Sequence, residues 1–216
     1  ILLIAAGGYV INDYFDIQVD TVNNKVLVGR NIKRRVALIL HAILTFTGVV
    51  LGLYMAYSVG YTIVGLIIPI SAYSLWLYSL KLKRKLFIGN LIIALLSSVF
   101  TIFLALFEIP QNISHPETTR LIALLCIYAL FTFLCSLMHE VIKDLISYVG
   151  DKTFKIKTLA TEWGISKTKR FLKYINISLS FMVIIVSISE FSENITALSY
   201  AAITIVCPLI LTKYWT

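Results

Sequence analysis

"IGNLIIALLSSVFTIFLALFE", residues 88–108, runs for twenty residues without a charge before it reaches Glu108. That is the length a helix needs to cross ~30 Å of hydrocarbon at ~1.5 Å per residue. Comparable apolar stretches recur at about 36–57, 61–80, 120–138, 171–188 and 196–212, and residues 1–11 resemble the end of another. The composition agrees: 59% of the chain is hydrophobic and 14% charged, with a mean hydropathy of +0.89. Those values lie outside the range of ordinary soluble domains. The sequence therefore predicts an all-α, polytopic transmembrane bundle, organised as a single domain over residues 1–216. "ILLIAAGGYV" carries neither a basic n-region nor a cleavage site, so it reads as the interior of a span and not as a signal peptide.

The basic residues set the orientation. Of 19 Lys and Arg, all but Arg120 fall at or near residues 20–35, 81–87 and 139–173, or at Lys213. Strict alternation of the spans puts these segments on one face, which the positive-inside rule assigns to the cytoplasm. The net charge of +8 is thus a topology signal and a means of meeting anionic lipid, not a nucleic-acid footprint. Lys81, Lys83, Arg84 and Lys85 are read in the same way, as an anchor. The three cysteines, Cys126, Cys135 and Cys207, lie inside apolar spans at no metal-ligand spacing, as small core hydrophobes do.

Against this background the five aspartates stand out. They form two clusters, Asp13-x2-Asp16-x3-Asp20 and Asp144-x2-Ser147-x3-Asp151, whose spacings match with Ser147 in the middle position. On a helix, positions i, i+3 and i+7 share a narrow stripe, so each cluster aims its oxygens one way. Asn12, Asp16 and Asp20 follow one another at i, i+4 and i+8. Carboxylates gathered at a membrane edge repel one another and lose hydration unless a cation neutralises them. All-oxygen ligands suit Mg²⁺ or Mn²⁺ better than zinc or copper. Two such clusters facing each other can clamp a diphosphate through bridging metal ions and make it a good leaving group.

"NDYFDIQVD" followed by Asn23 resembles the first signature of the UbiA superfamily of intramembrane prenyltransferases, N-D-x-x-D-x-x-x-D. "EVIKDLISYVGDKTFKIKTL" is similar to the second, and "YSLKLKRKLFIGN" to the loop between the middle spans. The resemblance implies a nine-helix fold around a central cavity, of which this chain would hold about seven helices, lacking the first and the last. It implies Mg²⁺ as cofactor and a prenyl diphosphate as substrate, with a lipid or aromatic acceptor. "YVINDYFD", "VGRNIKRR" and "EVIKD" look most like the geranylgeranylglycerol-phosphate geranylgeranyltransferase branch, with 4-hydroxybenzoate-type enzymes as the alternative.

By that resemblance the metal ligands are Asp13, Asp16, Asp20, Asp144 and Asp151. Lys143, Asp144 and Asp151 are the catalytic candidates. Asn12, Lys25, Arg30, Tyr78, Asn90, Lys143 and Tyr148 are the substrate-binding ones. Four positions depart from the family pattern: Ser147 stands for Asp, His139 and Leu27 for Arg, and Ala160 for Pro. They motivate a second reading, a degenerate member that binds prenyl diphosphate without turnover. A divalent-cation transporter is a third; against it, the acidic clusters sit at one membrane edge and no mid-membrane acid marks a path. His139 and Glu140 are assigned either to orienting a ligand or acceptor or to capping the helix. His41 is expected to hydrogen-bond a neighbouring helix. The protein is expected to be multi-pass, in the cell membrane if prokaryotic, with both acidic motifs facing the cytoplasm.

Overall fold

The structure, a computed structural model, describes residues 1–24, 26–108 and 115–191. Among them it is built of helices: α1 Leu2–Val22, α2 Arg34–Ser58, α3 Thr62–Gly65, α4 Ile67–Leu80, α5 Ile88–Glu108, α6 His115–Ile146, α7 Tyr148–Thr153, α8 Leu159–Trp163 and α9 Ile165–Phe191. Among the described residues five segments are long and apolar enough to cross a membrane, with α3 and α4 together forming one of them. The chain is an integral, multi-pass membrane protein. The expected span at 196–212 lies outside the described residues.

The observed helices correct the expected spans mainly at their ends. The span expected at 61–80 breaks at Leu66, because Pro69 has no N–H to donate to the carbonyl four residues back. The helix expected at 120–138 runs instead over the 32 residues of α6. At ~1.5 Å per residue that is ~48 Å, well beyond a ~30 Å hydrocarbon core, so its final turns leave the apolar layer. Helix α1 similarly continues past the apolar residues 1–11 through all three aspartates of the first cluster. The first acidic motif thus lies wholly on the C-terminal half of α1, while the second begins at the end of α6 and finishes on α7.

Lipid offers no hydrophobic force to press helices together, so association relies on close packing and interhelical hydrogen bonds. Between α5 and α6, the Ser97 and Ser136 hydroxyls lie 3.0 Å apart and Thr101 donates to Thr132 at 3.2 Å. His41 on α2 bonds through Nδ1 to the Gly7 carbonyl of α1 at 2.9 Å, the helix contact expected of it. Two buried clusters lie between the helices. One joins Ala94, Leu137, Val141, Leu159, Leu172, Ile175 and Leu179. The other joins Ile4, Ile68, Ala72 and Phe103. Large apolar side chains such as Phe46 and Tyr128 remain 72% and 63% exposed, as a lipid-facing surface requires. Cys135 is half-buried and packs against the first of these clusters, as a small core hydrophobe does, whereas Cys126 is exposed; Cys207 lies outside the described residues.

Candidate active site

The C-terminal halves of α1 and α6, the turn after α4 and the start of α7 enclose a cleft of ≈ 340 Å³. All five aspartates line it, with Asn12, Asn23, Tyr78, Asn90, Glu140, Lys143 and Ser147. The two clusters, remote in sequence, open onto one space.

Asn23 and Gly150 bring them together. The Asn23 side chain, at the end of α1, accepts from the Gly150 N–H at 3.1 Å and donates to the Ser147 carbonyl at 3.5 Å. A Cβ on Gly150 would lie 2.9 Å from the Val19 carbonyl oxygen and 2.5 Å from Asn23 Nδ2, so only glycine allows this approach. The single stripe expected for the second cluster is interrupted: α6 ends at Ile146, and Ser147 (φ −90°, ψ 3°) separates it from α7. The Ser147 hydroxyl lies 2.6 Å from Asp151 Oδ2 and 2.9 Å from the Lys143 carbonyl oxygen, with one proton to donate and the carboxylate the nearer acceptor. The residue that stands for an aspartate therefore orients one.

Lys83 corrects the reading of the basic run as a surface anchor. Its side chain is only 11% exposed; the ammonium pairs with Asp16 and donates to Asn12 Oδ1 at 3.2 Å. Asn12 in turn donates to Asp16 at 2.9 Å. Gly89 makes this possible, because a Cβ there would lie 2.8 Å from the Lys83 Cα. The turn at Leu82–Arg84 folds back against α5 and sends one lysine inward. Burial pushes the Lys83 ammonium below its ordinary range, with the Asp16 carboxylate pulling the other way. Burial pushes the Asp151 carboxyl up, against the Ser147 hydrogen bond and with the Asp16 charge.

The remaining expected residues divide. Asn90 is buried and donates to Asp144 at 2.9 Å. Tyr78 is buried and donates to Glu140 at 3.0 Å. Lys143 lines the cleft and holds Glu140 at 3.0 Å. Arg30 is not among the lining residues; it lies in a separate pocket with Arg34, Ile17 and Thr21. The reason is the tight turn at 28–32, closed by the Gly29 N–H to the Ile32 carbonyl at 2.7 Å, which carries Arg30 away. Tyr148 also stands outside the lining, its hydroxyl accepting from Lys152 at 3.2 Å. His139 and Leu27 are exposed and outside it too. Lys25 lies outside the described residues. Sequence reasoning missed the inward turn of Lys83, the bond from Asn23 to Gly150 and the position of Glu140; Lys83 lay within "YSLKLKRKLFIGN", where it could have been singled out.

The donor set suits a hard divalent cation. Six carboxylates against the ammonium groups of Lys83 and Lys143 leave four formal negative charges in the cleft, the charge of two divalent ions. Among the described residues no three His, Cys, Asp or Glu side chains are drawn closely enough to hold a metal on their own. Mg²⁺ does not need such a cage, since it takes one or two carboxylates and completes its shell with water and phosphate oxygens.

Beside the cleft lies a second, mostly apolar compartment of ≈ 140 Å³ among Ala5, Tyr9, Leu75, Ile93, Leu96 and Phe100. The two share Asn12, Tyr78, Glu140 and Lys143 as a common wall.

The chain matches the UbiA prenyltransferase family over residues 1–216. It is 36% identical to a protein of Sulfurisphaera tokodaii named digeranylgeranylglyceryl phosphate synthase, over 77% of this chain and 56% of the relative. A protein of the same name from Saccharolobus solfataricus is 34% identical over 82% of this chain and 59% of the relative. Another from Thermococcus sibiricus is 31% identical over 98% and 69%. The chain thus spans less than two thirds of the length of the first two of these relatives. No solved structure matches it significantly.

Proposed function

As the chain belongs to the UbiA prenyltransferase family, we propose that it forms the diphosphate-binding core of an intramembrane enzyme transferring a geranylgeranyl group to a lipid hydroxyl. The donor is geranylgeranyl diphosphate and the acceptor a glycerophosphate-type lipid such as geranylgeranylglyceryl phosphate. The names of the relatives support this branch. One observation carries the reading: an acidic cleft and an apolar compartment share a wall, as a substrate with an anionic head and a hydrocarbon tail requires.

In this reading Asp13, Asp16 and Asp20 with Asn12 on one side, and Asp144 and Asp151 on the other, hold Mg²⁺. Bound there, magnesium neutralises the charge that builds on the departing diphosphate. Lys83 and Lys143 contact the diphosphate, and Lys83 exchanges its Asp16 partner for phosphate oxygens as the substrate enters. Asn90 and Ser147 orient Asp144 and Asp151 through the hydrogen bonds described above. The apolar compartment receives the C1 end of the prenyl chain and keeps water from C1, where positive charge develops as the C–O bond stretches. The basic segments orient both motifs toward the cytoplasm, and residues 1–216 act as one domain.

The test is reconstitution of the full-length protein in lipid with Mg²⁺ and radiolabelled geranylgeranyl diphosphate. Geranylgeranylglyceryl phosphate and 4-hydroxybenzoate are offered in parallel. The expected result is a metal-dependent ether product with the lipid acceptor, lost in Asp16→Ala and in Asp144→Ala. Product only with 4-hydroxybenzoate would move the assignment to the aromatic-acceptor branch. Diphosphate binding without any product would identify a degenerate member.

A further inference from the structure

Transfer to an alcohol must dispose of the hydroxyl proton. Among the described residues one carboxylate is set at the wall where a prenyl C1 and an acceptor would meet. Glu140, on α6, lines both the acidic cleft and the apolar compartment and is 6% exposed. It is not part of either aspartate cluster. Its Oε2 accepts from the Tyr78 hydroxyl at 3.0 Å. Lys143 Nζ approaches Oε1 at 3.0 Å and Oε2 at 3.3 Å. The two contacts differ in kind. Tyr78 is buried on α4 and fixes the carboxylate from across the wall. The Lys143 side chain is 40% exposed and free to turn toward an anion in the cleft.

We propose that Glu140 is the general base of the transfer, uncovered when Lys143 leaves it for the diphosphate; this rests on the prenyl-transfer reading above. When Lys143 moves, Oε1 loses its donor while Tyr78 continues to hold Oε2. The acceptor hydroxyl then donates to Oε1. As its oxygen bonds to the prenyl C1, the C1–O bond to diphosphate breaks and the electron pair departs with the diphosphate. The O–H bond gives its proton to Glu140, which returns it to the departing diphosphate or to water before the next cycle. The step is redox-neutral and needs no further reactant. Coupling the base to the lysine makes deprotonation follow diphosphate binding.

The experiment compares wild type, Glu140→Gln and Glu140→Asp in the full-length protein reconstituted in lipid vesicles. Three quantities are read: diphosphate affinity, slow Mg²⁺-dependent hydrolysis of geranylgeranyl diphosphate without acceptor, and transfer to geranylgeranylglyceryl phosphate. The amide of Glu140→Gln keeps the Tyr78 bond but takes no proton. Transfer is expected to fall by ~100-fold or more, further than acceptor-free hydrolysis falls, with diphosphate affinity equal to or above that of wild type because the amide holds Lys143 less tightly than the carboxylate does. Glu140→Asp should recover part of the transfer. An acceptor carrying a thiol in place of the hydroxyl should shrink the Glu140→Gln deficit at least tenfold, because a thiol sheds its proton far more readily. Transfer within about threefold of wild type would overturn the assignment. So would an equal deficit on thiol and hydroxyl, or a parallel loss of diphosphate binding, which would mark Glu140 as a structural strut. A wild-type protein that binds diphosphate and transfers to neither an alcohol nor 4-hydroxybenzoate overturns the prenyl-transfer reading itself.

Discussion

Replacing Lys83 by Met should move two affinities in opposite directions. Met keeps the apolar stem that fills the space between α1 and the turn after α4, and removes only the ammonium. In the ligand-free protein that ammonium pairs with Asp16 and touches Asn12. A divalent ion approaching Asp16 must displace it or tolerate its charge. At ~6 Å, with an effective dielectric of ~20–80, the repulsion is roughly 1–5 kcal/mol. The low end applies because a lysine stem can swing aside, so Lys83→Met should bind Mg²⁺ about tenfold more tightly without substrate. For the diphosphate the sign reverses. A hydrogen bond to a charged group contributes roughly 1.5–3 kcal/mol, and ~1.4 kcal/mol is tenfold in affinity, so binding should weaken by roughly ten- to hundredfold. Isothermal titration of the detergent-solubilised protein with Mg²⁺, then with a non-hydrolysable prenyl diphosphate analogue, measures both. Two unchanged affinities would refute the role given to Lys83; two weakened ones would show a damaged cleft and not an exchanged cation.

Gly89→Ala sets a Cβ 2.8 Å from the Lys83 Cα and should cost about 1–3 kcal/mol in overpacking. It should lower the thermal midpoint and weaken diphosphate binding as Lys83→Met does. Gly150→Ala meets the Val19 carbonyl at 2.9 Å, which is backbone and cannot turn aside; transfer should fall at least tenfold, with the helical circular-dichroism signal retained. Arg30→Ala should leave diphosphate affinity within about twofold of wild type, because Arg30 lies in a pocket apart from the cleft; a tenfold loss in the same titration would return it to the site. Removing Mg²⁺ with EDTA should abolish diphosphate binding, since six carboxylates then face the anion with two lysines.

The limits of the sequence are clearest at Lys83. Its run, Lys81, Lys83, Arg84 and Lys85, has the composition of a positive-inside anchor, and composition cannot say which lysine turns inward. That depends on a fold-back against Gly89, a contact between backbone segments that leaves no periodic trace. Arg30 illustrates the reverse. Its nearness to the first motif suggested a diphosphate contact, and a turn closed between Gly29 and Ile32 carries it elsewhere.

Hydropathy and spacing by themselves determined that this chain spans a membrane as helices, and which oxygens form its two acidic motifs. These are local properties: a helix spanning lipid must be apolar along its own length, and a helical stripe follows from 3.6 residues per turn. Only the tertiary structure decided that both motifs open onto one cleft, stapled by Asn23 and Gly150. It alone set Glu140 between the acidic and apolar spaces. Those relations are distances between helices far apart in the chain, and in lipid they are set by close backbone approach and a few hydrogen bonds, which no pattern along one helix encodes.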